Sequence, residues 1–183
     1  IYYSGHGTQR VVEGAGGSFV REALVPTDDR VFDEGARAFR RRLVFDWELN
    51  ARLRRIGERT PAVTAILDCC CSAGVARDLC DGDARARYAA YPDALEPAAP
   101  VPDAPSEDPG IARAAGRCLV VAACLANERA LEADDGGRSH GLLTRALLDA
   151  FAAHGDDELP DLRWDRIWRP LAARVSEARG TQH

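Results

Sequence analysis

Two short strings carry residues that could do chemistry together. One is Tyr3-Ser4-Gly5-His6-Gly7, and the other is Leu67-Asp68-Cys69-Cys70-Cys71-Ser72-Ala73-Gly74. His6 and Cys70 each close a short apolar run, 64 positions apart. If those runs are neighbouring strands, the two side chains form a nucleophile–base pair. A free thiol titrates near 8.5, but beside an imidazolium it falls to roughly 3.5–7.5. His6 would favour the Cys70 thiolate and then protonate a leaving amine. Cys70 would attack a carbonyl to form a thioester, and water would release the acyl group. The oxyanion needs backbone N–H donors. Gly7 and Cys70 itself are the natural ones, and glycine at Gly5 and Gly7 lets backbone approach closely.

Side chains alternate along a strand. Ser4 therefore goes with His6, and Asp68 goes with Cys70, while Cys69 and Cys71 point elsewhere. Taken singly, a buried Cys is a small core hydrophobe and a lone His is structural. Their joint placement after two apolar runs carries the catalytic reading.

The elements that must hold this pair are legible in outline. Residues 1–4 read as a buried strand, and residues 13–18 as a Gly-rich loop. Residues 23–26 form a short extended piece, and residues 28–42 a polar, solvated stretch. Asp46 can cap a helix reaching about Ile56, with Trp47, Leu49, Leu53 and Ile56 near helical spacing. Residues 62–67 are a β-branched apolar run that fits a buried parallel strand, and a helix follows from Ser72. Residues 118–124 are the next buried strand. Residues 141–153 and 162–178 are amphipathic helices, with Pro170 a candidate kink. This order argues an α/β domain with a mostly parallel central sheet flanked by helices.

Residues 81–112 change character, with prolines from Pro92 to Pro109 among Ala, Asp and Glu. They read as a flexible linker between a larger part, 1–80, and a smaller part, 113–183.

The 183 residues suffice for one domain with a sizeable core. Net charge is −5, which disfavours a nucleic-acid partner. All 24 basic residues are Arg, a bias that reads as coding composition. No stretch approaches the ~20 apolar residues of a membrane span. There is no C-x-x-C for a zinc ribbon, and three of the six Cys are consecutive. Buried thiols in a reducing, cytoplasmic compartment are the expectation. The chain has no Met and opens on Ile1-Tyr2-Tyr3, inside an apparent strand. It reads as a fragment of a longer protein, with fused or partner domains outside it.

The strings Tyr-Ser-Gly-His-Gly-Thr-Gln at residues 3–9 and Asp-Cys-Cys-Cys-Ser-Ala-Gly at 68–74 resemble the caspase-like cysteine peptidases. The metacaspases and their bacterial relatives look closest. Residues 23–28, the helix start at Asp46, and Ala123-Cys124 with Glu128, Glu132 and residues 141–144 extend the likeness. The resemblance implies a three-layer caspase-like fold whose first strands precede residue 1. It also implies His6 and Cys70 as the dyad, a protein or peptide substrate, and cleavage after Arg or Lys. Ser4 and Asp68 fall where that family recognises a basic side chain, and a carboxylate suits a guanidinium. An ordinary capping role is equally open to Asp68. Cys71 stands in place of the family's usual His, and Ala73 in place of its Gly.

The resemblance requires no cofactor. Some metacaspases need calcium, and Asp46 and Asp78 stand near the matching places, though Ca²⁺ wants six to eight oxygens. Arg85, Arg87, Arg113 and Arg117 flank the linker as candidate self-cleavage sites, or as solubilising charges. Two rival readings are a non-catalytic caspase-like module for regulation or assembly, and a redox or metal protein built on the Cys triplet.

Overall fold

The computed structural model describes residues 1–14, 17–35, 37–60, 62–70, 85–87, 89, 118–124, 129–154 and 162–180. Along the chain run β1 (Tyr2–Ser4), β2 (His6–Gly14), β3 (Gly17–Val25), β4 (Arg30–Asp33), β5 (Ala38–Arg41), β6 (Val44–Phe45) and α1 (Asp46–Gly57). Then come β7 (Val63–Asp68), β8 (Arg85–Ala86), β9 (Cys118–Ala122), β10 (Leu131–Asp135), β11 (Arg138–Gly141), α2 (Leu142–Ala152) and α3 (Trp164–Gly180).

The central sheet is parallel, in the order β1-β7-β9. Its alternating pattern sorts side chains to two faces. Val63, Ala65 and Leu67 of β7 pack with Leu49 and Leu53 of α1. Ile66 of β7 and Val121 of β9 pack the other way, against Leu143, Ala146 and Leu147 of α2 and Ile167 and Leu171 of α3. The result is three layers, helix–sheet–helices, an α/β fold of the expected kind. Leu53, Leu67 and Leu171 are among its fully buried side chains, and burial of each stabilises the fold by about 1.5–3 kcal/mol.

Helix α1 starts where the sequence places it, but Asp46 is its first residue rather than its cap. Phe45 holds the cap position in extended backbone. Its N–H donates to Glu48 Oε2 at 3.0 Å, the reciprocal half of a capping box. Asp46 is buried, accepts the Trp47 N–H at 2.8 Å and lies 3.7 Å from Arg21. Helix α3 runs through Pro170.

Two stretches read as irregular are paired strands. β2 and β3 pair antiparallel, in register from His6↔Val25 to Gly14↔Gly17, so the described ends of the Gly-rich piece are strand. The polar stretch holds a second such pair, β4 with β5. Within the linker, Arg85–Ala86 is a strand, paired antiparallel with β10. The helix expected from Ser72, the linker apart from residues 85–87 and 89, Cys71, Asp78, Arg113 and Arg117 lie outside the described residues. Among the described residues, no helix is long and apolar enough to cross a membrane.

Candidate functional site

Strands β1 and β7 are parallel neighbours, with Ser4 directly opposite Asp68. The two strings therefore leave the sheet side by side, at the carboxyl ends of its strands. That is where sites form in open α/β sheets. The Gly5 N–H donates to the Asp68 carbonyl at 3.2 Å and extends the pairing past the strand ends. Tyr3 ties the following strand pair down. Its hydroxyl lies 2.7 Å from the His6 carbonyl and 2.8 Å from the Val25 carbonyl, with one proton to donate between them, and accepts the Val25 N–H at 3.2 Å.

Beyond the strand ends the backbones touch. A Cβ on Gly7 would stand 1.6 Å from the Cys70 carbonyl oxygen, so only glycine fits there. The Gly7 and Cys70 N–H groups converge on a single acceptor, the carbonyl oxygen of Arg87, at 3.0 and 3.1 Å. Two backbone donors on one carbonyl oxygen at this distance have the geometry of an oxyanion hole. The sequence offers both as oxyanion donors, and it offers Arg87 among the linker arginines.

Arg87 is buried, and its guanidinium is met on every side. Nε donates to the Asp68 carbonyl at 3.0 Å and the Gly5 carbonyl at 3.3 Å. One terminal nitrogen donates to Ser4 Oγ at 2.8 Å, and the other to Glu132 Oε2 at 3.2 Å. The Asp68 carboxylate lies 4.0 Å from Nε. Ser4 and Asp68 thus both lie beside one basic side chain. The carboxylate in direct contact is Glu132, which sequence reasoning noted without giving it a role. Its signal was its place between the apolar Leu131 and Ala133, where a half-buried acid needs a partner.

Asp68 has a second task. It is fully buried, and Oδ2 accepts the Thr144 N–H at 2.9 Å and also the Thr144 hydroxyl. Thr144 lies in the first turn of α2, so this carboxylate sits on the positive end of the helix and satisfies one of its orphan donors. A Cβ on Gly141 would come within 2.0 Å of the same carboxylate, so the chain needs glycine there.

The Cys70 thiol is fully buried. It donates to the Ala130 carbonyl at 3.1 Å and accepts the Ala130 N–H at 3.1 Å. Its pKa is pushed well up, chiefly by a hydrogen bond with the Cys124 side chain, then by burial and by Cys124's charge. The thiol is therefore held protonated. His6 begins β2 with its imidazole exposed to solvent. Cys69 goes to the core against α1. Asp46 lies with Arg21 in the α1 region, and among the described residues no cluster of His, Cys, Asp or Glu could hold a metal ion.

A family model described as the caspase domain matches residues 1–182, and the chain belongs to that family. No curated protein and no solved structure matches the chain.

Proposed function

We propose that this caspase-domain chain is a cysteine endopeptidase that cuts after Arg or Lys through a His6–Cys70 dyad. One observation carries the reading. An arginine of the chain lies with its carbonyl oxygen on the Gly7 and Cys70 amides and its guanidinium on Ser4 and Glu132. The groups that would polarise a scissile carbonyl and the groups that would select a basic side chain thus serve one residue together.

In this reading the Cys70 thiol gives its proton to His6 and attacks the carbonyl carbon. The developing oxyanion is held by the two amides. His6 returns the proton to the leaving amine, and water then hydrolyses the thioester. Ser4, Glu132 and the backbone carbonyls of Gly5 and Asp68 orient the basic side chain. The spread of acceptors suits a planar guanidinium better than a compact ammonium, so Arg should be preferred to Lys.

The rival is a caspase-like module that binds basic segments without cutting them. It draws on the buried, protonated thiol of Cys70. Hydrolysis of Arg-, Lys- and Asp-ended fluorogenic peptides by the full-length protein, beside Cys70→Ala, separates the two. Arg cleavage that vanishes in the variant supports the peptidase. Binding of Arg peptides without turnover supports the module.

A further inference from the structure

We propose that the Gly7 carbonyl is a binding group for the leaving side of the substrate: it takes the backbone N–H of the second residue after the basic one. The substrate is then an extended polypeptide segment with any residue but proline at that place. This deepens the peptidase reading above and rests on it.

Gly7 meets the segment at Arg87 through both of its backbone groups. Its N–H donates to the Arg87 carbonyl at 3.0 Å, and its carbonyl accepts the Ala89 N–H at 2.9 Å. Ala89 is the second residue after Arg87. On the near side, the Arg87 N–H donates to the Ala130 carbonyl at 2.9 Å, and Ala86 pairs with Leu131. A chain whose arginine carbonyl sits on the oxyanion donors is thus bonded through its main chain on both sides of that carbonyl. Added-strand binding of this kind draws affinity from the main chain and leaves side chains to set selectivity.

The Gly7 carbonyl is a fixed acceptor. Gly7 lies in β2, in register with Leu24 of β3. The preceding carbonyl, that of His6, lies 2.7 Å from the Tyr3 hydroxyl. The Cys70 carbonyl oxygen stands where a side chain on Gly7 would begin. Turning this residue would cost the site an oxyanion donor. An acceptor held ready needs little ordering on binding. Wherever the Gly7 N–H polarises a scissile carbonyl, the Gly7 carbonyl faces the leaving side.

What this acceptor selects is a hydrogen-bond donor. Every residue but proline supplies one from its main chain, and the proline nitrogen carries no hydrogen. A peptide that ends at Arg, with a dye as its leaving group, supplies none. Proteins and longer peptides are therefore cut better than short dye-linked amides, and Arg-Xaa-Pro sequences are cut poorly.

Peptides extended on both sides of one arginine test this with the full-length protein. The reference carries alanine as the second residue after Arg. One variant carries proline there, and another the matching hydroxy acid, which replaces N–H by O without adding bulk. A last variant carries the hydroxy acid at the third residue. The second-residue ester should lower kcat/KM about 3–10-fold, the worth of one neutral hydrogen bond, and proline at least as much. The third-residue ester should match the reference. The chain's own segment competes with every peptide alike, so these ratios do not depend on how far it fills the site. Equal kcat/KM for the reference and the second-residue ester overturns this inference and leaves the peptidase reading intact. Equal losses at the second and third residues overturn it too, since the site would then sense the backbone at large. No hydrolysis of any peptide, beside an equally silent Cys70→Ala, overturns both readings.

Discussion

The Cys70 thiol and the backbone of Ala130 form a reciprocal pair, each donating to the other at 3.1 Å. The Cys124 side chain and burial push the pKa of this thiol up, against a lowering by the backbone hydrogen bonds of Ala130 and Arg87. Because the Cys124 hydrogen bond is the largest cause of the raised pKa, Cys124→Ala should lower it. The pH profile of Cys70 alkylation by iodoacetamide, followed by mass spectrometry, should move to lower pH. At pH 8 the rate should rise, since the thiolate is the reactive form. An unmoved profile would show that burial alone holds the proton.

Glu132 is the carboxylate in direct contact with the Arg87 guanidinium, at 3.2 Å. A hydrogen bond to a charged group is worth about 1.5–3 kcal/mol. Glu132→Gln should therefore lower kcat/KM for an Arg peptide by about 10–100-fold. Cys70 alkylation should stay as it is, because Glu132 does not touch the thiol. Equal losses of hydrolysis and alkylation would make Glu132 a structural residue instead.

The sheet and the site were legible to different degrees. The strands β1, β7 and β9 were legible as compact apolar runs, but of these only β7 is largely buried. β1, read as buried, leaves Tyr2 exposed, and β9 leaves Leu119 exposed, because among the described residues each has a strand on one side only. Alternation set Ser4 with His6 and Asp68 with Cys70; that Ser4 and Asp68 stand opposite each other came from the parallel register of β1 and β7 in the structure. The pairing of β2 with β3 was hidden by its glycines, which read as a loop although Gly14 and Gly17 are paired strand residues. Arg87 stood out among the linker arginines, but its pairing with the sheet was hidden by the prolines further along. Those prolines begin only at Pro92, and the Pro-free start of the linker was the signal that residues 85–89 could add to a sheet. Ala130 and Cys124 act through backbone and proximity, which no residue pattern advertises.

Glu22 gives the fold a pH dependence of its own. Its carboxyl is raised to about 7 from an ordinary 4.5, by burial first and then by the Asp46 charge, against a lowering hydrogen bond from Gln9. Between those two pH values the folded chain keeps a proton that the unfolded chain has released. The contribution to stability is thus fully present below pH 4.5 and is lost as pH rises through 7. The loss should be about 1–2 kcal/mol, less than the full shift implies because Glu22 is only partly buried. Urea denaturation at pH 5 and pH 8 should show it, and Glu22→Gln should flatten the difference. Parallel losses in both proteins would move the cause to another group.

Asp68 joins specificity to stability, and the two can be separated. Its carboxylate holds the Thr144 N–H and hydroxyl at the start of α2, and it faces Arg87 only at 4.0 Å. Asp68→Ala removes a helix-terminal acceptor, a loss of about 0.5–2 kcal/mol. It also opens a polar void in a fully buried site. In a domain of this size each kcal/mol lowers Tm by about 2–4 °C, so a fall of several degrees is expected. Asp68→Asn keeps an acceptor for Thr144 but loses the charge. It should melt close to the unsubstituted protein and still show a weaker preference for Arg over neutral peptides. If Asp68→Asn keeps the full preference, Glu132 and Ser4 select the basic side chain without it, and Asp68 serves the helix alone.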